Sequence, residues 1–152
     1  MKVLGIDYGS ARIGLAICDD LGITARPLAV VKRKDPERDL DVLENIIREN
    51  RVELLVLGLP LRLDGSRGIQ CEKVEKFAQA LRSRFGLPVV LYDETLSTWE
   101  AEEILISAGI KGKDRRKIVD KIAAGIILQS YLNSLQKKKP GPASPGNFPE
   151  QR

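Results

Sequence analysis

The stretch Gly5-Ile-Asp-Tyr-Gly-Ser-Ala-Arg-Ile-Gly14 determines the first structural elements of the chain. An apolar run arrives at a single carboxylate, Asp7, and glycines follow at positions 9 and 14, where a second apolar run begins. This order predicts a strand, a tight turn and a second strand, with Asp7 at the end of the first strand. A carboxylate at a strand end is costly to bury unless it is paired, hydrogen-bonded or bound to a metal. Asp also bonds the N–H groups of its own turn, so this stretch alone leaves a structural and a functional role open.

The following elements alternate between strand and helix patterns. Residues 23–31 predict a third strand, and Pro27 indicates an edge or irregular position. Asp35-Pro36 predicts the N-cap and first residue of a helix, which Asn50 would end in a left-handed conformation. A buried-type strand over 54–58, a helix with apolar residues from 74 to 85, and another strand over 87–92 come next.

The last third of the chain is mostly helical in pattern. Ser97 and Glu100 form a capping box that predicts a short helix ending at Gly109. Residues 111–117 are expected to be a basic connector, and a long helix is expected over roughly 115–135. Residues 137–152 contain four prolines and two glycines and predict a disordered tail. We therefore expect one domain over 1–136 and a tail over 137–152.

The predicted fold class is α/β. The first three strands form an antiparallel meander, whereas the alternating strands and helices after them imply right-handed crossovers and parallel pairing. Together they predict a mixed five-stranded sheet with helices on both faces.

Composition narrows the chemistry. The chain has 152 residues and no histidine, which excludes Ser-His-Asp catalysis and histidine-bound zinc. The net charge is +4, but the tail carries +3, which leaves only +1 for the other 136 residues. Nucleic-acid binding must therefore be argued from local clusters. The two cysteines lack metal-type spacing, and neither a signal peptide nor a membrane-spanning run is expected, which favours the cytoplasm.

Acidic residues occupy three positions that the predicted fold would bring to one edge of the sheet. Asp7 ends the first strand, Asp93-Glu94 ends the last one, and Asp120 lies in an apolar part of the final helix. Ligands gather at the carboxyl ends of strands in open α/β sheets. Clustered carboxylates repel one another, and a Mg²⁺ or Mn²⁺ ion relieves this repulsion because hard cations prefer oxygen ligands. Each acid also has a structural alternative as a solvated strand end or as the partner of a nearby basic residue.

Basic residues border this proposed acidic site. A run of like charges is usually a solvated surface, but clusters beside an acidic site favour contact with a phosphate backbone. The candidate nucleic-acid-binding residues are Arg12, Arg62, Arg67, Lys113, Arg115, Arg116 and Lys117. Aromatic residues make up only 5% of the chain, so extensive base stacking is not expected.

Four motifs in order resemble the YqgF family of bacterial RNase H-like proteins. They are Gly5-Ile-Asp-Tyr-Gly-Ser-Ala-Arg-Ile-Gly, Gly58-Leu-Pro-Leu-Arg-Leu-Asp-Gly-Ser, Asp93-Glu-Thr-Leu-Ser-Thr and Asp120-Lys-Ile-Ala-Ala. The resemblance covers about residues 1–135. It implies an RNase H-like fold, phosphodiester hydrolysis with Mg²⁺ or Mn²⁺, and maturation of the 5′ end of 16S rRNA.

Matched motif by motif, the resemblance implies that Asp7, Glu94 and Asp120 are the catalytic and metal-binding carboxylates. Asp93 is the alternative to Glu94. Thr95 departs from the family pattern, which often has a basic residue there. A phosphate contact at that position is therefore less expected. The implied partner is nucleic acid, as pre-16S rRNA or branched DNA, with a homodimer as an option and no membrane.

Three other functions are left open by the same residues. One is a Holliday junction resolvase-type DNA nuclease. Another is a non-catalytic nucleic-acid-binding or antitermination factor of the same fold. The third comes from the first motif, which also resembles the phosphate loop of actin-like ATPases and sugar kinases. Those proteins need two such domains to enclose a nucleotide, and 152 residues supply only one.

Overall fold

A computed structural model of the chain describes residues 1–60, 68–93 and 106–138, and for residues 112–117, 119–121 and 137–138 it describes the backbone. The strands are β1 (Val3–Tyr8), β2 (Arg12–Cys18), β3 (Ala25–Lys32), β4 (Leu54–Leu59) and β5 (Val89–Asp93). The helices are α1 (Pro36–Glu49), α2 (Ile69–Phe85) and α3 (Gly112–Lys138).

The five strands form one mixed sheet in the order β3-β2-β1-β4-β5. β1, β2 and β3 pair antiparallel, whereas β1 with β4 and β4 with β5 pair parallel. This confirms the predicted sheet. Pro27 lies in the edge strand β3, beside a register shift at Leu15/Ala16, because an edge strand tolerates the N–H that proline lacks.

Each face of the sheet has its own hydrophobic core. Leu4 and Ile6 of β1 face the larger core, which they share with residues of α1 and α2. Val3 faces the second core, whose helical residues come from α3. Since side chains alternate along a strand, odd-numbered residues of β1 face α3 and even-numbered ones face α1 and α2.

The predicted start of α1 is confirmed, but its predicted end is wrong in conformation. Asp35 is the N-cap, and its side chain accepts a hydrogen bond from the Arg38 N–H at 2.9 Å. Asn50 has φ −99°, and the left-handed residue is the next one, Arg51, at φ 54°. The Asn50 amide instead donates to the Ile46 carbonyl at 2.8 Å, which occupies a backbone acceptor at the helix end.

The predicted connector over 111–117 is also wrong, because α3 already begins at Gly112. Its seven residues contain no apolar stripe, so periodicity could not show that they continue a helix packed further along. Two smaller differences are that β3 begins at Ala25 and β5 at Val89, each two residues later than predicted. The predicted tail over 137–152 begins too early, because Lys137 and Lys138 still belong to α3. The short helix predicted from Ser97 is described only at its end, where Gly109 has φ 77° and donates its N–H to the Ile106 carbonyl at 2.9 Å, as the predicted stop requires. The rest of that helix and residues 139–152 lie outside the described residues.

Candidate metal and nucleic-acid site

Asp7 lies at the α3 side of the sheet, near the end of β1. Val3, Leu4, Gly5 and Ile6 before it are buried, and Asp7 is half-buried. Alternation from Val3 and Gly5 places it on the face that α3 covers. The predicted position at a strand end is therefore observed.

Glycines lie beside Asp7 on both neighbouring strands. Gly14 of β2 is its partner in the antiparallel register. On the other side, Ile6 pairs with Leu57, so the next position of β4 brings Gly58 alongside. Val56 belongs to the α3-side core, and alternation puts Gly58 on the same face. Neither of these two neighbouring strand positions thus adds a side chain next to the carboxylate.

The predicted acidic pair at the end of β5 is only partly described. Asp93 is the last residue of β5 and is exposed. Val90 and Tyr92 pack on the α3 side, whereas Leu91 packs on the other side. Asp93 therefore falls on the α1 and α2 side, and Glu94 lies outside the described residues.

Asp120 belongs to α3 and precedes Ala124, where this helix meets β1, by about one helical turn. A Cβ built on Gly5 would lie 2.7 Å from the Leu128 Cβ and 3.1 Å from the Ala124 carbonyl oxygen. Only a glycine allows so close an approach of helix and strand. Further along α3, the Gln129 side chain hydrogen-bonds to the backbones of Ile23 and Ala25, at the start of β3. This lies at the edge of the sheet where β1 begins, since Ala25 pairs with Cys18 at the end of β2. The N-terminal half of α3 therefore lies towards the end of β1, where Asp7 is.

The basic candidates are distributed over three places. Arg12 begins β2 and is half-buried. Lys113, Arg115, Arg116 and Lys117 occupy the first two turns of α3, of which the backbone is described. Arg62 and Arg67 lie outside the described residues. The structure thus brings the α3 cluster to the helical end that approaches Asp7.

No group of three acidic, cysteine or histidine side chains able to hold a metal occurs among the side chains that the structure describes. Two of the three predicted ligands, Glu94 and Asp120, are not among them. In the described ranges, no helix is both long and apolar enough to cross a membrane.

Sequence reasoning missed Arg33, which contacts the turn between β1 and β2. Its guanidinium donates to the carbonyls of Gly9 at 2.8 Å and Ser10 at 3.2 Å. Its position after β3 gave no motif, and only the tertiary pairing of β2 with β3 brings it to the turn. Gly14 and Gly58 were inside recognised motifs but had no role assigned.

Solved structures with the same fold define the class. The chain resembles "T. thermophilus RuvC in complex with Holliday junction substrate" with a TM-score of 0.56 and 21% identity, covering 90% of this chain and 96% of that one. A fowlpox virus resolvase in complex with Holliday junction DNA gives a TM-score of 0.53 at 17% identity, with 89% and 99% covered. The protein therefore has the RNase H-like fold of these resolvases.

The particular family follows from sequence. The family profile "RuvX: Holliday junction resolvase" matches residues 1–134. A relative from Syntrophus aciditrophicus, named "Putative pre-16S rRNA nuclease", is 50% identical over 139 residues, which cover 91% of this chain and 93% of that protein. A relative of the same name from Geobacillus kaustophilus is 46% identical, with 88% and 99% covered. The chain belongs to the RuvX family and is a nuclease.

Proposed function

We propose that the chain is a divalent-metal-dependent endonuclease whose Mg²⁺ or Mn²⁺ ligands are Asp7, Glu94 and Asp120. Its proposed substrate is the precursor of 16S rRNA, at the 5′ end. The observation that carries the proposal is the position of Asp7, on the α3 face between Gly14 and Gly58. We also place the activity in the cytoplasm, assign it to residues 1–136, and treat a homodimer as an option for the assembly.

The spacing of α3 against β1 supports the pairing of Asp7 with Asp120. Helix and strand meet at Gly5 with Ala124 and Leu128. Asp7 lies two residues further along β1, a rise of about 6.7 Å. Asp120 lies four residues before Ala124 along α3, a rise of about 6 Å. Asp7 and Asp120 therefore lie at similar distances from the contact of Gly5 with α3, and both lie towards the same edge of the sheet.

Strand alternation favours Glu94 over Asp93 as the third ligand. Tyr92 lies on the α3 side, where its ring packs against Tyr131 with centroids 5.8 Å apart. β5 ends at Asp93, which faces away from α3. If the strand conformation continues for one more residue, Glu94 faces the same side as Tyr92 and Asp7. This alternation is the reason for which we propose Glu94 as the ligand and Asp93 as the alternative.

The donor set fits a hard cation. Carboxylate oxygens are preferred ligands of Mg²⁺ and Mn²⁺, and the chain has no histidine to favour zinc. When bound, such an ion activates water and stabilises the leaving oxygen in phosphodiester hydrolysis. The chain's own part is to hold the ion with three carboxylates, beside strand positions occupied by the glycines Gly14 and Gly58, and to bind phosphates through its basic residues.

The substrate rests on the relatives. Several that are 42–50% identical over most of their length carry the pre-16S rRNA nuclease name. A branched DNA junction is the second candidate, because the matching family is described as a Holliday junction resolvase. A non-catalytic nucleic-acid-binding factor is the outcome if the protein binds either substrate without cutting it.

Cleavage of both substrates side by side tests the function. Purified protein is incubated with a 16S precursor fragment and a four-way DNA junction, in Mg²⁺, in Mn²⁺ and in excess EDTA. We expect metal-dependent cleavage, with the precursor fragment preferred. Undiminished cleavage in EDTA would contradict the metal assignment.

The variants Asp7→Asn and Asp120→Asn test the ligands by opposite effects on activity and stability. Cleavage should fall by orders of magnitude because the metal loses a ligand. Like charges about 4 Å apart repel by roughly 1–4 kcal/mol, so stability in EDTA should stay level or rise. An ordinary structural carboxylate would instead cost about 0.5–2 kcal/mol when replaced. Asp20→Asn is the matched control, since this exposed acid pairs only with Lys2 among the described residues. Normal cleavage with lower melting of both variants in EDTA would refute the site.

A further inference from the structure

Arg33 binds three consecutive carbonyl groups of the turn that follows Asp7. Its guanidinium donates to Gly9 at 2.8 Å and to Ser10 at 3.2 Å. Its backbone N–H donates to Ala11 at 3.0 Å. One residue next to β3 therefore fixes the direction of every carbonyl in the turn between β1 and β2.

The guanidinium is itself held from several sides. It lies 4.2 Å from the centroid of the Tyr8 ring and donates to the Tyr8 hydroxyl at 2.6 Å. Tyr8 in turn stacks on Phe77 of α2, with ring centroids 4.0 Å apart and 13° between the planes. Cation–π contact and stacking together restrict an otherwise flexible side chain. The arginine is thus anchored to the α1 and α2 side of the sheet.

The turn allows little variation in its own backbone. The Gly9 N–H donates to the Arg12 carbonyl at 2.9 Å and closes the turn. A Cβ built on Gly9 would lie 2.7 Å from that same carbonyl oxygen. Gly9 is therefore required by close approach, and the position of Ser10 and Ala11 is set by the turn together with Arg33.

Peptide planarity transfers this restraint to the other side of the turn. In a trans peptide the carbonyl and the following N–H point in opposite directions. Because the Gly9 and Ser10 carbonyls point to Arg33, on the Tyr8 side, the Ser10 and Ala11 N–H groups point to the opposite side, where Asp7 lies. Within the part of the chain that the structure describes, neither N–H donates to a backbone carbonyl.

We propose that Arg33 is a positioning residue of the nuclease, which holds the Gly9 and Ser10 carbonyls so that the Ser10 and Ala11 N–H groups bind a substrate phosphate beside Asp7. Adjacent N–H groups of a turn form an anion-binding concavity when they converge. The inference rests on the proposed function for the nature of the substrate. Arg33 acts through the turn, because its guanidinium lies on the Tyr8 side of the sheet and donates there to Tyr8 and to two carbonyls of the turn, away from the face of Asp7.

Steady-state kinetics on the 16S precursor fragment in Mn²⁺ test this role. The variants are Arg33→Ala and Arg33→Lys, which retains a donor of similar reach. Arg84→Ala is the control, because Arg84 links α2 to Asp41 and Glu44 of α1, away from the turn. Each protein is also melted, and its half-saturating Mn²⁺ concentration is measured.

The expected pattern separates positioning from stability. Loss of a hydrogen bond to a charged phosphate corresponds to a rise in KM of about tenfold in Arg33→Ala. Since the phosphate is bound equally in the ground and transition states, kcat should change by less than about twofold. Arg33→Lys should have a KM between those of the wild type and Arg33→Ala. The half-saturating Mn²⁺ concentration should be the same in all three proteins. The idea is overturned if Arg33→Ala has the KM of the wild type, or if Arg84→Ala raises KM as much.

A second measurement keeps this inference distinct from the proposed function. Amide ¹⁵N spectra in EDTA are recorded while inorganic phosphate is added, without any metal or nucleic acid. Ser10 and Ala11 should shift in the wild type and stay unchanged in Arg33→Ala. If the wild type cleaves neither nucleic acid but these shifts occur, the nuclease proposal fails, and what stands is that Arg33 positions the turn for phosphate binding. If the two amides ignore phosphate in the wild type, the role of Arg33 is refuted even when cleavage is normal.

Discussion

At the scale of single residues, small size matters most around Asp7. Gly5 lets α3 approach the sheet, Gly9 closes the turn, and Gly14 and Gly58 flank the carboxylate. The α3-side core is also built with small residues such as Ala16, Cys18 and Ala124. The site is therefore defined as much by missing side chains as by the carboxylates themselves.

The pair Gly5→Ala and Gly125→Ala tests this dependence on space. An alanine at 5 would meet Leu128 and Ala124 at distances that require α3 to move, at a cost of roughly 1–3 kcal/mol. Because Asp120 moves with α3, cleavage should fall as well. A Cβ at Gly125 meets nothing within 4 Å, so alanine there should stabilise the helix by about 1 kcal/mol. Urea unfolding and cleavage of both variants are compared, and equal effects at the two positions would contradict the close approach.

At the scale of elements, the turn between β2 and β3 depends on one ionised side chain. Asp19 Oδ1 accepts hydrogen bonds from the N–H groups of Ile23 at 2.8 Å and Thr24 at 3.3 Å. The bond from Ile23 is the main reason that the pKa of Asp19 is lowered from its usual value. A carboxylate with a lowered pKa in the folded protein stabilises it above the pKa of the unfolded chain, about 3.9.

Asp19→Asn should therefore lower stability in a pH-dependent way. The asparagine oxygen accepts more weakly than a carboxylate, so the variant should melt lower than the wild type at neutral pH. As pH falls below about 4, the wild type loses its advantage, and the two melting curves should converge near pH 2. Melting from pH 7 to pH 2 checks this, with Asp20→Asn as the neighbouring control. A difference that persists at the lowest pH would mean that ionisation of Asp19 is not its cause.

The first two turns of α3 carry four of the basic residues that we propose to bind phosphates. Lys113, Arg115, Arg116 and Lys117 begin the helix that carries Asp120 towards the sheet edge. Helical geometry fixes these positions relative to Asp120, whereas a connector would leave them loose. Phosphate contacts made from this element would therefore orient a substrate strand as well as attract it.

Neutralising Arg115, Arg116 and Lys117 to Gln tests the contact with phosphates. Affinity for both RNA and branched DNA should fall without a change in preference, since phosphates carry no sequence information. The dependence of log K on log salt should become shallower by about one unit for each lost contact. Binding is measured over a salt series, with Arg48→Gln on α1 as the control. An unchanged slope would show that these residues only solvate the helix start.

At the scale of the whole molecule, α3 is the element that carries both Asp120 and the basic cluster that we propose to bind phosphates. It covers one face of the sheet from β3 to β5, and its far end reaches Lys138. The family match ends at residue 134, within the last turns of this helix.

Deleting residues 139–152 should leave the domain intact. These residues contain four prolines and no apolar stripe, and the cut preserves the whole of α3. We expect the melting temperature to change by less than about 2 °C. Nucleic-acid affinity should weaken modestly, because Lys139 and Arg152 are removed. Thermal melting and a binding titration of the shortened protein check both effects, and a drop of many degrees would show that the tail packs on the domain.

Local chemistry let the sequence predict most of the elements. Alternating and continuous apolar runs gave the five strands, Asp35-Pro36 gave the start of α1, and Pro27 gave the edge. The motifs placed Asp7 at its strand end and led to the family that the comparisons confirm. These features depend on neighbours within a few residues, which a sequence displays directly.

Tertiary structure alone decided what depends on distant pairing. The start of α3 at Gly112 has no apolar stripe in the sequence, and the close approach of this helix to the sheet lies further along, at Gly5. The assignment of the β5 side chains to the two faces of the sheet follows from their packing, as that of Tyr92 against Tyr131 shows. Arg33 reaches the turn after Asp7 only because β3 lies beside β2, and 24 residues of chain separate it from Gly9. Contacts of this kind arise from the folded topology and leave no local pattern in the sequence.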